Sequence, residues 1–367
     1  MLFSKKDLQK LIIPLMFEQL LAVSVGMVDT LMVSQAGEAA ISGVALVDNI
    51  NRLIIQVMAA LATGGAVVCS QFVGKGKEEG AKKSGAQLET VLLVFSVCMT
   101  LLSLIGTRGL LHAVFGNVSE DVMDSAVLYF TVTSLSFPFL GIYNAGAAIF
   151  RSIGNSKISM QISLLMNVIN IVGNAIFVFG FHWAVFGVAL ATLLSRIVAG
   201  IVITLLVCGK TNPIRIDKWS ELKPDGSIIK KILAIGIPSG VENGMFQIGK
   251  LAVTSMVATF GTASIAANSV GYTVIDFANI PGNAMGLALI TVVGQCIGAG
   301  EKKQAKQYTK KLVGLAYLGD WICNIALFLL AGTIAKCFHL SPEAVRIAEQ
   351  ILHCFAVTSL FIWPLSF

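Results

Sequence analysis

A chain of 367 residues in which 56% are hydrophobic and only 13% charged, with a mean hydropathy of +0.82, is too apolar for an ordinary soluble domain, which carries about 25% charge. Its solvent is a bilayer. The net charge of +6 follows from where the basic residues sit along the spans, as set out below, and not from a nucleic-acid-binding surface, so no nucleic-acid partner is expected.

Taken in order, the apolar stretches long enough to cross about 30 Å of hydrocarbon as helix are residues 11–33, 44–70, 87–106, 126–150, 160–180, 184–208, 232–258, 264–296, 312–335 and 347–367. The period-two alternation of barrel strands is missing, so the spans are helices and the fold class is an all-α polytopic membrane protein. The first stretch is too long for a cleavable signal peptide and runs on into Asp29. The seven cysteines are scattered singly and read as small packing residues, without the spacing of a disulfide or metal framework. With no phosphate-cradling loop, Asp-rich metal motif or Ser/His/Asp set, the chain is not expected to be an enzyme or to hold a cofactor.

Basic residues orient the spans. Lys5, Lys6 and Lys10 precede the first; Lys75, Lys77, Lys82 and Lys83 follow the second; Arg151 and Lys157 follow the fourth. Lys210, Arg215, Lys218, Lys223, Lys230 and Lys231 follow the sixth, and Lys302, Lys303, Lys306, Lys310 and Lys311 follow the eighth. The remaining loops offer little beyond Arg108, Lys336 and Arg346. The positive-inside rule therefore places the N-terminus and the even loops in the cytoplasm, for a multi-pass protein of the cell membrane.

Laid in register on itself so that Pro14 falls on Pro238, the chain matches without a gap. Glu18 falls on Glu242, Gly37 on Gly261, Ile41 on Ile265, Gln71 on Gln295, Gly74 on Gly298 and Gly76 on Gly300. The organisation expected is two pseudo-symmetric six-helix bundles in parallel repeat, their axis along the membrane normal. Residues 1–209 form the first with its six helices, 210–231 with Pro213 and Pro224 the cytoplasmic linker, and 232–367 the second, truncated after about four helices.

Polar side chains inside spans are costly and point to pairing or function. Glu18 and Glu242 each follow a proline by one helical turn, so Pro14 and Pro238 read as hinges beside carboxylates. Glu18 sits near the start of its span and also fits a residue that snorkels to water. Asn167, Asn170 and Asn174 recur at helical spacing on the fifth span, Thr192 lies on the sixth and Asn144 on the fourth. One carboxylate, Asp29, with amide and hydroxyl oxygens suits a hard cation or a proton, while interhelical hydrogen bonding is the plainer use of the same groups.

Several runs resemble the multidrug and toxic compound extrusion family: Val28 to Gly43, Gln71-Phe-Val-Gly-Lys-Gly76, Arg151-Ser-Ile-Gly-Asn155, and Asn170-Ile-Val-Gly-Asn174 with Phe179-Gly180. The resemblance implies two six-helix lobes and export of organic, often cationic small molecules in exchange for Na+ or H+ by alternating access. It implies that Asp29 is the cation or proton site, with Asn144, Asn170, Asn174 and Thr192 beside it. Any bound Na+ would be held by Asp29, Asn170, Asn174 and Thr192. It also gives Glu242 a coupling role, and places the second, eighth, first and seventh spans around the substrate cleft. There Arg52 and Asp276, equivalent in the repeat and opposite in charge, could pair as a gate; Asp48, one turn before Arg52, offers a local partner instead. The glycines of the seventh and eighth spans read as close packing within the bundle, hence a monomer whose other partner is lipid. Two other readings stand beside export: a lipid-linked oligosaccharide flippase of the same superfamily, and a non-transporting membrane scaffold or fragment.

Overall fold

The computed structural model describes residues 2–33, 38–116, 119–209, 212–216, 222–338 and 341–360, with the side chains of 26–31, 33, 38, 39, 251, 255, 258, 262 and 337 left aside. The helices in order are α1 (Lys5–Val33), α2 (Glu38–Gly74), α3 (Glu78–Phe115), α4 (Glu120–Ser134), α5 (Phe137–Ser152), α6 (Ser156–Asn174), α7 (Ala184–Val207), α8 (Gly226–Ala258), α9 (Thr262–Ala278), α10 (Ile280–Gly298), α11 (Lys302–Cys337) and α12 (Pro342–Ser359). There is no strand among the described residues.

Seven of these helices are long and apolar enough to cross a membrane, or eight if α4 and α5 count as one span. Ten spans were expected; the fourth, seventh and tenth are not among the seven, and proline breaks the fourth. Residues 126–150 break into α4 and α5, which meet at 47°, because Pro138 in the first turn of α5 can neither donate its amide nor extend a helix through it. Pro281 in the first turn of α10 divides residues 264–296 in the same way. The two proposed hinges behave differently, since α1 and α8 run through Pro14 and Pro238 as single helices. Beyond Asn174 the backbone widens into a π-helical turn, Ala175–Gly180. Residues 361–367, the end of the last predicted span, lie outside the described part.

The surface is the reverse of a soluble protein's. Ile105 is 85% exposed, Leu329 76% and Leu205 67%, which suits lipid, while Ser and Thr fill the interior and spend their hydroxyls within helices. Ser84 donates to the Gly80 carbonyl (2.8 Å), Thr133 to Tyr129 (2.8 Å) and Thr204 to Gly200 (2.7 Å).

Tertiary contacts modify the expected division of the chain. The buried Leu8, Leu11 and Leu15 of α1 pack with Ala284, Ala288 and Leu312 of α10 and α11, and the Tyr308 hydroxyl donates to the Phe3 carbonyl (2.7 Å) while accepting from the Phe3 amide (3.0 Å). The start of the first bundle thus docks on the second. The segment 210–231 is no free tether either. The Gln87 side chain of α3 donates to the Lys223 carbonyl (2.9 Å) and accepts from the Asp225 amide (2.8 Å), and α8 begins at Gly226, inside the predicted linker, with Asp225 capping it through the Ser227 amide (2.9 Å).

The repeat is visible in the backbone. Gly76 and Gly300 take matching left-handed turns, φ 66° and 79°, a conformation cheap only for glycine. Lys77 and Glu301 amides return to the Phe72 and Cys296 carbonyls, the same loop closure in both copies. Here the two halves touch symmetrically. A Cβ on Gly74 would overlap the Gln295 carbonyl, and one on Gly298 the Gln71 carbonyl. Thr291 and Gln295 of α10 also donate to the Arg151 (2.9 Å) and Ser152 (2.7 Å) carbonyls of α5. The halves are therefore closed against each other on the side of the basic loops. Replacing Gly298 by Leu is expected to hold this side apart while the chain still inserts. Spin labels at Lys77 and Lys303 should move apart by several ångströms relative to the unaltered glycine; an unchanged distance would show that the close approach is not needed for closure.

Candidate functional site

Away from that contact, on the other half of the bundle, a cavity of about 480 Å³ opens between α2, α4, α6 and α7. Its polar lining includes Asn167, Asn170 and Thr192, with Asp48, Arg52 and Arg196. The apolar side chains Ile41, Val44 and Val188 complete the wall. The cavity is large enough for a small organic molecule, and most of its lining is polar.

Three of the sequence-predicted residues are joined directly. The Asn170 Nδ2 donates to Thr192 Oγ1 (3.2 Å), and Asn174 Nδ2 donates to Asn170 Oδ1 (3.2 Å). All three are buried. Helical spacing on α6 puts the two asparagines one turn apart on the face toward α7, and the π-helical turn starts directly after Asn174, where such bulges commonly serve a site. Asn167 belongs to the same stripe and leaves its Nδ2 without a hydrogen-bond partner among the described residues. Asn144 does not join them, because its Nδ2 is spent on the Leu140 carbonyl of its own helix (2.9 Å). Position 29 lies on α1, which packs along α6; the Asp29 side chain lies outside the described residues. Val25, one turn before it, lines the cavity.

Glu242 stands apart. It is exposed on α8, beside an apolar surface groove formed with Pro238, Val241, Met245 and Phe246, and meets no partner among the described residues. Helical repetition matched it to Glu18, yet the two copies differ in surroundings. Glu18 is 7% exposed, with Oε1 accepting from Arg151 Nη1 (3.2 Å) and Oε2 from Ser159 Oγ (2.8 Å). Of the alternatives open for Glu18, snorkelling to water is excluded, since it is the buried half of an ion pair that fastens α1 to α5 and α6. The signal for this was present in the sequence as a buried Glu and an Arg closing the fourth span, but only folding brings them together.

Arg52 and Asp276 form no ion pair. Asp276 instead lies 4.0 Å from Lys250 of α8, whose ammonium also sits 4.8 Å from the centroid of the Tyr272 ring. Asp48 accepts from the Tyr129 hydroxyl (3.3 Å), and Arg196 donates to Ser136 (2.8 Å). Sequence reasoning passed over Asp48 and Arg196 as site residues, although their sign and intramembrane position were signals enough. It also passed over Asp320, a lone acid near the middle of α11 that is 1% exposed. Among the described residues there is no group of His, Cys, Asp and Glu of the kind that holds a metal ion.

The MatE family model matches residues 14–176 and 238–366. The chain is 26% identical over 352 residues to a probable multidrug resistance protein NorM of Thermotoga maritima, covering 94% of this chain and 74% of that protein. It is 24% identical over 306 residues to a probable multidrug resistance protein YoeA of Bacillus subtilis, covering 82% of this chain and 66% of that one. Among solved structures it resembles an outward-facing multidrug resistance MATE family transporter of the MOP superfamily, with a TM-score of 0.92 at 22% identity, over 98% of this chain and 80% of that one. The fold is thus that of a MATE transporter in a multi-pass membrane protein.

Removing one partner of a buried pair leaves the other charge uncompensated, which typically costs about 3–5 kcal/mol. Arg151→Ala is accordingly expected to lower the thermal unfolding temperature in detergent sharply, and the double change Glu18→Gln, Arg151→Met to recover most of it. Equal melting of Arg151→Ala and the original chain would mean the pair carries no structural load.

Proposed function

The chain belongs to the MatE family, and on that premise we propose that it exports organic, often cationic small molecules in exchange for Na+ or H+ by alternating access. The observation that carries this reading is the buried Asn170–Asn174–Thr192 hydrogen-bonded set beside a cavity of about 480 Å³, reached by the helix that bears Asp29. The relatives' names, probable multidrug resistance proteins, support the substrate class. The N-terminus and the closed, basic face are on the cytoplasmic side of the cell membrane in this reading.

Asp29 takes the coupling cation or proton. A carboxylate close to amide and hydroxyl oxygens binds a hard cation well, and the same carboxyl binds a proton more readily out of water. Asn170, Asn174 and Thr192 supply the remaining oxygens for a bound Na+. Coupling requires that the cation and the substrate favour different states of the two halves, since a ligand with equal affinity for both shifts nothing. With the basic side closed by the contacts of Gly74 and Gly298, the cavity offers its walls to substrate on the opposite side. The apolar part of the lining takes an amphipathic body; Asp48 attracts a positive centre while Arg52 and Arg196 on the same wall oppose it, so in this reading the attraction falls to Asp29.

Asp29→Asn is expected to abolish cation-driven efflux of a cationic dye from vesicles while the protein still inserts. Imposing Na+ and pH gradients separately identifies the coupling ion, and efflux undiminished by the substitution would remove Asp29 from the mechanism. Asp276, satisfied locally by Lys250, is expected to matter little: Asp276→Asn should leave the efflux rate within about twofold, within the small effects of an exposed pair. A selective loss of outward opening in that variant would reinstate the gate with Arg52.

A further inference from the structure

In the second half of the chain α10 and α11 cross closely. Asp320 lies near the middle of α11, a helix long and apolar enough to cross a membrane, within its apolar stretch 312–335, and it is 1% exposed. Its Oδ1 accepts the amide of Gly282 in the first turn of α10 (3.1 Å). The crossing is tight there: a Cβ on Gly319 would come within 2.7 Å of Pro281 Cβ. The other carboxylate oxygen, Oδ2, has no hydrogen-bond partner among the described residues. Two further oxygens share that condition. They are Oδ1 of Asn324, one turn along α11 with its Nδ2 on the Asp320 carbonyl (2.8 Å), and Oδ1 of Asn279, the residue capping α10. Both asparagines are at least nine-tenths buried, at 1% and 5% exposed.

All three orphans are acceptors. Acceptors cannot satisfy one another, so what these oxygens lack is a donated proton or a cation. Unpaired buried polar atoms are rare, and each calls for a cause; a carboxylate inside an apolar span is rarer still. The first half supplies a control. In the repeat register Asp320 stands where that half has Ser96 and Asn324 where it has Thr100. Both hydroxyls there are satisfied, Ser96 on the Leu93 carbonyl (3.0 Å) and Thr100 on those of Ser96 (3.0 Å) and Ser134 (2.9 Å). The same scaffold packs well with satisfied hydroxyls, so packing does not require the acid and the amides.

We propose that Asp320, Asn279 and Asn324 form a site for a small monovalent cation in the second half of the chain. A proton on Asp320 Oδ2 would turn that oxygen into a donor for an asparagine oxygen; a sodium ion would take all three oxygens, the hard donors it favours. The α10 N-terminus favours the ionised carboxylate and the apolar surroundings the neutral one, so occupancy responds to the ion supply. Few other titratable groups face the site. α10 carries no acid, base or histidine, and its Cys296 lies at the far end. α9 brings Asp276, held by Lys250, and α11 itself Cys323. α12 brings Glu349, which lies against Gly332, and His353, whose Nε2 meets the Phe328 carbonyl (3.0 Å). The site rests on this geometry and not on the export reading.

The test uses the full chain in nanodiscs and reads binding directly. In sodium-free buffer, infrared titration follows protonated carboxyl groups with pH; at fixed alkaline pH, ²²Na+ binding counts sodium. Asp320→Asn is expected to remove one titrating carboxyl in the first arm or one bound sodium in the second, and whichever arm responds names the ion. Asn324→Ala keeps the acid and is expected to move its titration midpoint by about one pH unit in the first arm or to weaken sodium binding about tenfold in the second, the weight of one hydrogen bond to a charged group. Asp29→Asn should leave the Asp320 signal in place, which separates this site from the proposed coupling at Asp29. Asp320→Asn indistinguishable from the original chain in both arms overturns the proposal, as does Asn324→Ala without effect should Asp320→Asn fail to fold.

Discussion

Hydrocarbon offers no hydrogen-bond partner, and that deficit orders this molecule from its surface to its interior. Apolar side chains turn outward because lipid accepts them, and the interior is left to small residues whose hydroxyls return to the carbonyls of their own helices. Groups too polar for that device pair across helices. Glu18 meets Arg151 and Ser159, and Thr192 meets Asn170, which in turn meets Asn174. Where the chain leaves acceptors unpaired in such surroundings, as at Asp320, the requirement passes to something outside the chain.

The duplication supplies a common scaffold and the departures from it supply the chemistry. Matched glycines at 76 and 300 close identical turns, and the reciprocal contacts of Gly74 with Gln295 and of Gly298 with Gln71 show the two copies meeting about their shared axis. The unpaired acid and amides are a departure of this kind, since Ser96 and Thr100 of the first half stand in register with Asp320 and Asn324. The asparagine stripe of α6 belongs to the first half, and the acid and amides of the α10–α11 crossing belong to the second. The docking of α1 on α10 and α11 ties the helix bearing Asp29 to both halves, so an event at one end of that helix has a mechanical path to the other bundle.

Individual residues show how far the sequence could be read. Asn170, Asn174 and Thr192 were legible together because helical spacing puts the first two on one face and apolar surroundings make any polar group conspicuous. Glu18 was legible as important but not as one half of an ion pair, since its partner lies far along the chain. Glu242 looked like its repeat mate and is exposed on α8 instead, because symmetry of sequence copies the backbone path but not the neighbours. Asp320 stands in an apolar stretch and was just as conspicuous, but its place in the chain did not show that one of its oxygens would be left unpaired.

Composition, hydropathy and the self-match determined the bilayer solvent, the all-helical class and the duplication, because these follow from local periodicity and from properties summed along the chain, while the family showed only as a resemblance in a few short motifs. Three things were decided only by tertiary structure: the bend between α4 and α5, the partner of each buried charge, and which polar atoms remain unpaired. Each depends on residues distant in sequence arriving at one place, and in a medium that satisfies no polar group it is that arrival which fixes whether a carboxylate is structural or free to bind.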